Sequence, residues 1–483
     1  MNVGTDNSKK FQEWISRLNI FQQSPTIYDS IGGTPEYGPY GATMKQNMIQ
    51  VFRETIRKEG FWEVDLPIIS PKMVWEASGH TERFYDIIAK SGEKTFRVDQ
   101  VLDSLGISQK PDFLSLESVS KYLDENSVIP QGESKPLTNP QTYSLMVHTK
   151  VNDRDAILRP ETATTTYLAF KDTHRLLRET MPLSLFQTGR SFRNEITSRQ
   201  GLIRSREFEQ FEGQTFIHQE HLHDFPEYDR SKNTGVVLFW NELQKKGDAP
   251  KQITLDEAVK QRIIQNQAYA TQFHIAKTLL DKLNIPLDRI RFRQHQLEEK
   301  AHYAADAWDL EVNTQQFGWV EICGIHDRGT YDLERHSKYS GKNLSVKNSK
   351  NSYETPRILE VAFGVGRTFY SMLENVYEIR DNKSVLNLAK GIEPIKATIA
   401  PLSKKPELVE IAKELYHDLK QNSIVTLDVT GSIGKRYARA DELGTPYVVT
   451  VDFDSLQDNK ATIRYRTSSH QERIPISEIS TKL

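Results

Sequence analysis

The residues best equipped for chemistry crowd into one stretch. Between Leu185 and Phe216 the chain reads LFQTGRSFRNEITSRQGLIRSREFEQFEGQTF. Arg193, Arg199, Arg204 and Arg206 stand close to Glu195 and Glu207. Guanidinium groups oriented by carboxylates suit planar, bidentate contact with phosphate oxygens. Before Arg190 and after Glu207 the residues suit extended chain, and Asn194, Ser198 and Gly201 break the middle, so the pattern predicts strand, long loop, strand. Period-2 geometry puts Phe208, Gln210, Glu212, Gln214 and Phe216 on one face of the second strand. A wholly core-facing strand would not mix carboxylate and amide groups with aromatic rings in this way. The competing explanation is a solvated, salt-bridged hairpin; the pattern points instead to a nucleotide polyphosphate held on a sheet.

Other positions carry charge where structure alone does not ask for it. Glu321 lies in the strand-like run WVEIC, sharing a face with Trp319 and Cys323, which is costly for a carboxylate unless it binds a cation. Arg367 follows a Gly364-Val365-Gly366 turn at the start of a helical pattern, where a cation opposes the helix dipole and so has another task. Glu161 follows Arg159 and Pro160 ahead of a helix, a position also explained by the dipole. Lys435, Arg436 and Arg439 cluster near the start of a late helix, either as a phosphate-backbone patch or as a solvated face.

With 483 residues and 37% hydrophobic content, the chain can bury a large core in two or more domains. No apolar run approaches the roughly 18 residues that span a bilayer, and no targeting segment opens the chain, so a cytoplasmic protein without membrane contact is expected. The single cysteine, Cys323, excludes an internal disulfide and any multi-cysteine zinc site. A net charge of -2 means that a nucleic-acid partner must be met by local basic patches.

The elements that would position these residues follow in order. FQEWISRLNIF predicts a short helix, and the Gly- and Pro-rich turn in YDSIGGTPEYGPYGATMKQNM leads into a helix that places Met44, Met48, Phe52 and Ile56 at i, i+4 spacing. Strand-like FWEVDLPIISP follows, with Pro67 marking an edge or bulge. Residues 101–138 read as a polar surface insertion and 218–287 as a helical insertion. Strands and helices alternate from about Ala397, predicting a small α/β domain with a mixed sheet. The division expected is therefore 1–392 and 393–483.

FRNEIT, RQGLIR, REF and FE resemble motif 2 of the class II aminoacyl-tRNA synthetases, specifically of the glycyl family. WEASGH, LRPETA, RFRQH and AHYA resemble further segments of that family; the helix and strand before Pro67 resemble motif 1, and Gly364 to Arg367 motif 3. GSIGKRYARADELGTP resembles the anticodon-binding domain shared by glycyl, threonyl, prolyl and histidyl enzymes. Departures occur at Val98 and Gln100, at Thr164 and Thr165, at Val361 and Ala362 in place of Pro and Ser, and at Tyr465 and Thr467 in place of aspartates.

The resemblance implies an α+β catalytic domain, an antiparallel sheet flanked by helices, followed by an α/β anticodon-binding domain. It implies a homodimer that activates glycine with ATP and Mg²⁺ and transfers it to tRNA(Gly). Arg193 and Arg367 would be catalytic. ATP would be held by these two with Asn194, Glu195, Arg204, Ser205, Phe208, Glu321, Ile322, Gly364 and Gly366, and the magnesium by Glu321. Arg97, Glu161, Glu212, Glu360 and Ala362 would meet glycine, and Lys435, Arg436 and Arg439 the tRNA. His295 and His302 receive no metal role. Two alternatives stay open: a non-catalytic synthetase-like nucleic-acid-binding protein of the polymerase accessory type, and a synthetase for threonine or proline.

Overall fold

The computed structural model describes residues 3–23, 28, 31–107, 110–113, 115–196, 198, 200–296 and 305–483, and for residues 3–6 the backbone alone. Arg199 and His302 therefore lie outside the described residues. The elements used below are α1 (Val3–Arg17), α2 (Pro39–Lys58), β1 (Trp62–Glu63), α3 (Ala163–Leu176), β2 (Leu183–Phe192), β3 (Glu207–Ile217), β4 (Gly235–Phe239), β5 (Lys251–Thr254), α4 (Gln267–Asp281), β6 (Ile290–Gln294), β7 (Asp306–Thr314), β8 (Gly318–Gly329), α5 (Tyr331–Ser340), β9 (Arg357–Gly364) and α6 (Val365–Val376).

A nine-stranded sheet in the order β5-β4-β6-β7-β8-β9-β3-β2-β1 carries the first domain. Its strands pair antiparallel except at two places, where β2 meets β1 and β4 meets β6 in parallel. The two faces of β3 show why its sequence alternates. Phe211 and Phe363 turn back onto Phe52 of α2, at ring separations of 5.6 and 5.2 Å. On that side a Cβ on Gly213 would stand 2.8 Å from the Phe61 ring and 3.1 Å from Ile56 Cδ1, so only glycine lets α2 seat this closely. The other face presents Gln210, Glu212 and Gln214, and at its far end Phe216 stacks on Phe170 of α3 with centroids 4.3 Å apart. Pro39 at the start of α2 presets the helical φ, and the four i, i+4 residues of that helix are all buried.

The expected insertions take a different form. Residues 101–138 belong to a unit running from Tyr85 to Ser144, a three-stranded sheet with two helices around Ile87, Val98, Leu102, Val119 and Leu137. Its polar outer residues hid a core assembled from both ends of the segment. Within 218–287, β4 and β5 extend the main sheet, and α4 lies in the main core with Tyr269, Phe273 and Leu279 fully buried. The stretch is part of the body. FWEVDLPIISP splits: Trp62–Glu63 joins the main sheet, while Ile69–Pro71 joins a separate three-stranded sheet.

Beyond residue 396, a five-stranded sheet packs with the helices Pro406–Lys420 and Ile433–Glu442, its strands joined parallel at one end and antiparallel at the other. This is the mixed α/β arrangement expected. Arg466 ties it to the body by donating to the Gly444 and Leu388 carbonyls. From the other end of the chain, α1 reaches the same corner: Trp14 Nε1 donates to the Glu442 carbonyl at 3.2 Å, and Arg17 pairs with the Glu442 carboxylate. Among the described residues no helix is long and apolar enough to cross a membrane.

Candidate functional site

The polar face of β3 forms the floor of a cavity shared with β8, β9, the loop between β2 and β3, and the first turn of α6. At one end stand the arginines. Arg193 lies with its guanidinium 5.2 Å from the Phe208 ring and 5.3 Å from the Phe84 ring, so its charge is held over two aromatic faces. Arg204 places Nε and Nη2 at 2.7 and 2.6 Å from Glu195 Oε2. Arg367 donates to the Ile203 carbonyl at 3.0 Å and to Glu321 Oε2 at 2.8 Å. Gly366 approaches so closely that a Cβ there would meet the Leu202 carbonyl at 3.3 Å. Ser205, Phe208 and Gly364 complete this end.

Arg206 does not belong to the phosphate-facing set expected from the sequence. It donates to the backbone carbonyls of Gly32, Glu195 and Ile196, fastening the loop to the 32–33 turn. Asn194 also turns away from the cavity. Its side-chain Nδ2 donates to the Ser144 carbonyl at 3.5 Å and its backbone N–H to the Leu145 carbonyl at 2.7 Å, docking the loop beside the end of the 85–144 unit.

The other end is acidic. β3 and β9 pair Glu212 with Ala362 and Gln214 with Glu360, so these side chains share the cavity face, and Glu161 approaches from the turn before α3. Glu360 accepts from Tyr167 at 2.8 Å, Gln214 at 3.2 Å and His326 Nδ1 at 2.9 Å. Arg328 lies 3.5 Å away, itself gripped by Asp332 in α5 at 2.9 and 3.1 Å. Glu161 accepts from Thr164 at 2.7 Å and lies 3.5 Å from His80. Glu212 accepts from Thr162 and, at 2.6 Å, from Gln210.

The acids differ sharply in charge. Burial and the carboxylates of Glu360 and Glu161 push Glu212 up to about 8. Burial also opposes the Glu360 anion, but Arg328 and His326 outweigh it and hold that group down to about 2. Glu161 is likewise lowered, burial being overcome by His80 and Arg328. The amide oxygens of Gln210 and Gln214 find no protein donor. This end therefore offers acceptors in excess of donors, the environment for a small ammonium compound, while the arginines suit phosphate.

Three further expectations do not survive. Glu321 does not share a face with Cys323: the pairing of β7 and β8 shifts between Leu310 and Glu311, leaving Ile322 as an extra residue. That bulge keeps Ile322 and Cys323 both in the core, while Glu321 joins Trp319 on the cavity side, where Arg291 stacks on the Trp319 ring at 4.1 Å. Arg97 sits in the 85–144 unit, paired with Asp86 at 3.0 Å and Asp99 at 2.5 Å, and does not line the cavity. Arg436 is 2% exposed and donates to the carbonyls of Pro401, Val429 and Gly431, so it builds the domain and offers nothing to a phosphate. Lys435 and Arg439 remain exposed, Arg439 held by Asp428.

Sequence reasoning passed over His80, Arg328 and His326. WEASGH and IHDRG carried the signal: a charged or titratable residue inside a run whose neighbours are buried.

Residues 145–376 match the family described as "tRNA synthetase class II core domain (G, H, P, S and T)" and residues 396–483 the "Anticodon binding domain". The glycine–tRNA ligases of Thermococcus gammatolerans and Pyrococcus horikoshii are each 33% identical to the chain, over 100% of it and 99% of their own length. That of Methanococcus maripaludis is 31% identical over 98% of both. Among solved structures, the prolyl-tRNA synthetase of Giardia lamblia with prolyl-adenylate superposes with a TM-score of 0.59 at 16% identity, covering 99% of this chain and 76% of that one. The Cryptosporidium parvum prolyl enzyme with halofuginone and AMPPNP gives 0.58 at 16% identity, covering 98% and 75%.

Proposed function

The chain belongs to the glycine–tRNA ligases, class II aminoacyl-tRNA synthetases that join glycine to tRNA with ATP, and from that premise we propose how its cavity divides the work. Glycine lies over the acidic end. Its ammonium meets Glu161, Glu212 and Glu360 and supplies the donor that the Gln210 amide oxygen lacks. ATP lies over the arginine end, with its adenine near Phe208 and the Glu195–Arg204 pair and its phosphates between Arg193 and Arg367.

The reaction is attack of the glycine carboxylate on the α-phosphate, releasing pyrophosphate and leaving glycyl-adenylate. The terminal ribose hydroxyl of the tRNA then attacks the activated carbonyl. No side-chain nucleophile is required, because the rate comes from aligning the reactants and from stabilising charge on phosphorus. Arg193, fixed over two rings, is placed to neutralise the oxygens of the α-phosphate. Arg367 is placed for the departing phosphates. Ile203 and the α6 turn hold it in that direction.

Mg²⁺ fits the cavity at Glu321, an oxygen donor aimed into it beside the phosphate region, and would supply charge neutralisation of the polyphosphate. Lys435 and Arg439 face the tRNA. Supporting a homodimer, Trp62 on the β1 edge, Ile69 in the strand Ile69–Pro71 and Met73 in the helix that follows it are exposed apolar side chains that a second copy would cover. The cytoplasm is the compartment in which such a protein would meet its tRNA.

The observation that carries this reading is the opposition, within one cavity, of an end built on Glu161, Glu212 and Glu360 and an end built on Arg193, Arg204 and Arg367. Pyrophosphate exchange into ATP, assayed with each amino acid in turn and without tRNA, tests it. Exchange with glycine alone is expected. Glycine exchange that persists unchanged in Glu212→Gln and Glu360→Gln would remove the site assignment.

A further inference from the structure

Across the cavity floor, strand pairing sets Glu212, Ala362 and Gly324 side by side in one row, and Gln214, Glu360 and His326 in the next. Beyond Glu212 the first row has almost no side chain: one methyl group, then none. A flat space of that kind beside a small-substrate site would admit more than glycine. The structure fills it from the neighbouring row. A Cβ built on Gly324 would stand 2.6 Å from His326 Cε1 and 3.0 Å from its Nε2, so the imidazole lies down over the bare Gly324 backbone. Nδ1 of the same ring is bonded to Glu360 Oε1 at 2.9 Å, which fixes its direction. Gly324 is therefore required by the ring above it.

We infer that His326 is the residue that sets the size limit of the amino-acid site: its imidazole, laid over Gly324 and tethered to Glu360, occupies the space beside Ala362 that a substrate methyl group would need. This rests on the reading that Glu161, Glu212 and Glu360 receive the ammonium of glycine. His326 acts by volume and makes no contribution to bond making. Steric rejection of one methyl group is worth about ten- to two-hundredfold, which is the range the ring has to supply.

The experiment is ATP–pyrophosphate exchange by the full chain with glycine and with alanine, for the parent, His326→Ala, His326→Asn and Glu212→Gln. His326→Ala should raise kcat/KM for alanine relative to glycine by about tenfold or more. His326→Asn keeps a donor for Glu360 while removing ring volume; it should retain more glycine activity and still admit alanine. Adding Ala362→Ser to His326→Ala, which refills part of the gap, should restore rejection of alanine. A glycine-to-alanine ratio unmoved in both His326 variants, while Glu212→Gln sharply lowers glycine kcat/KM, overturns the inference and leaves the site assignment standing. Unchanged glycine kinetics in Glu212→Gln removes the assignment and the inference together. Should His326→Ala fail to fold, His326→Asn alone decides.

Discussion

Arg367 Nη1 and Glu321 Oε2 stand 2.8 Å apart, so the guanidinium proposed for the outer phosphates and the carboxylate proposed for the magnesium are each other's partners. A nucleotide carrying its cation offers each a better match: anionic oxygens for the arginine, a hard dication for the acid. The pair is thus exchanged rather than merely lost.

Arg367→Ala should lower the exchange rate on the order of 10²–10³-fold, as expected for a donor aimed at developing charge. Glu321→Gln should instead raise the Mg²⁺ concentration needed for half-maximal exchange and shift the ATP requirement with it. A magnesium titration of the parent and the two variants checks both. An unchanged magnesium midpoint in Glu321→Gln would free that carboxylate from the metal.

Glu212 gives the site a pH dependence. Its folded pKa of about 8 exceeds the ordinary glutamate value, so the folded protein binds more protons than the unfolded chain between the two. The stability this group contributes is complete below the ordinary value and is lost as pH rises through about 8. Glu360, held at about 2, runs the opposite way: its contribution is present above the ordinary value and is lost as pH falls. An ammonium favours the Glu212 anion, so glycine binding displaces a proton. The glycine KM should fall as pH is raised from roughly 6.5 toward 8.5, and Glu212→Gln should flatten the profile. A flat profile in the parent would argue against contact between Glu212 and the ammonium.

Arg328 is buried between Asp332 and Glu360. Removing one member of such a network leaves an uncompensated buried charge, so Arg328→Met should destabilise the fold by about 3–5 kcal/mol. Denaturant unfolding followed by circular dichroism measures this directly.

Arg436 and Lys435 are adjacent in sequence and opposite in fate. Arg436→Ala would strand buried carbonyls and should cost about 2 kcal/mol or more of stability. Lys435→Ala should leave stability and pyrophosphate exchange unchanged, weaken tRNA binding and reduce its salt dependence by about one charge. Binding measured across a salt series separates the two.

What the sequence made legible is what its periodicity and chemistry encode locally. The β3 face from Phe208 to Phe216 lies as alternation predicts, and the two arginine motifs converge on one cavity. Alternation failed at Glu321, because a bulge inserts Ile322 and no residue type announces a bulge. Local spacing does not reveal the burial of Arg436, because the carbonyls it meets come from two segments apart in the chain, the end of a strand at Pro401 and the loop holding Val429 and Gly431. Spacing does not reveal the roles of Arg328 and His326, because the partner they share, Glu360, lies 32 and 34 residues further on, in β9. The core of the 85–144 unit stayed hidden for a related reason: its apolar residues are sparse and meet only after the segment closes on itself.

The contact of Trp14 and Arg17 with Glu442 brings the earliest described helix against the last domain. Reading a tRNA at one end and charging it at the other demands a fixed span, and a hinge between the two domains alone would leave that span free to open. Here it is closed like a clasp, by residues that belong to neither the pocket nor the basic patch proposed to meet tRNA. Loosening the clasp at its exposed member, as in Arg17→Ala, should leave adenylate formation intact and blunt only the delivery of glycine to tRNA, a loss of reach without a loss of chemistry.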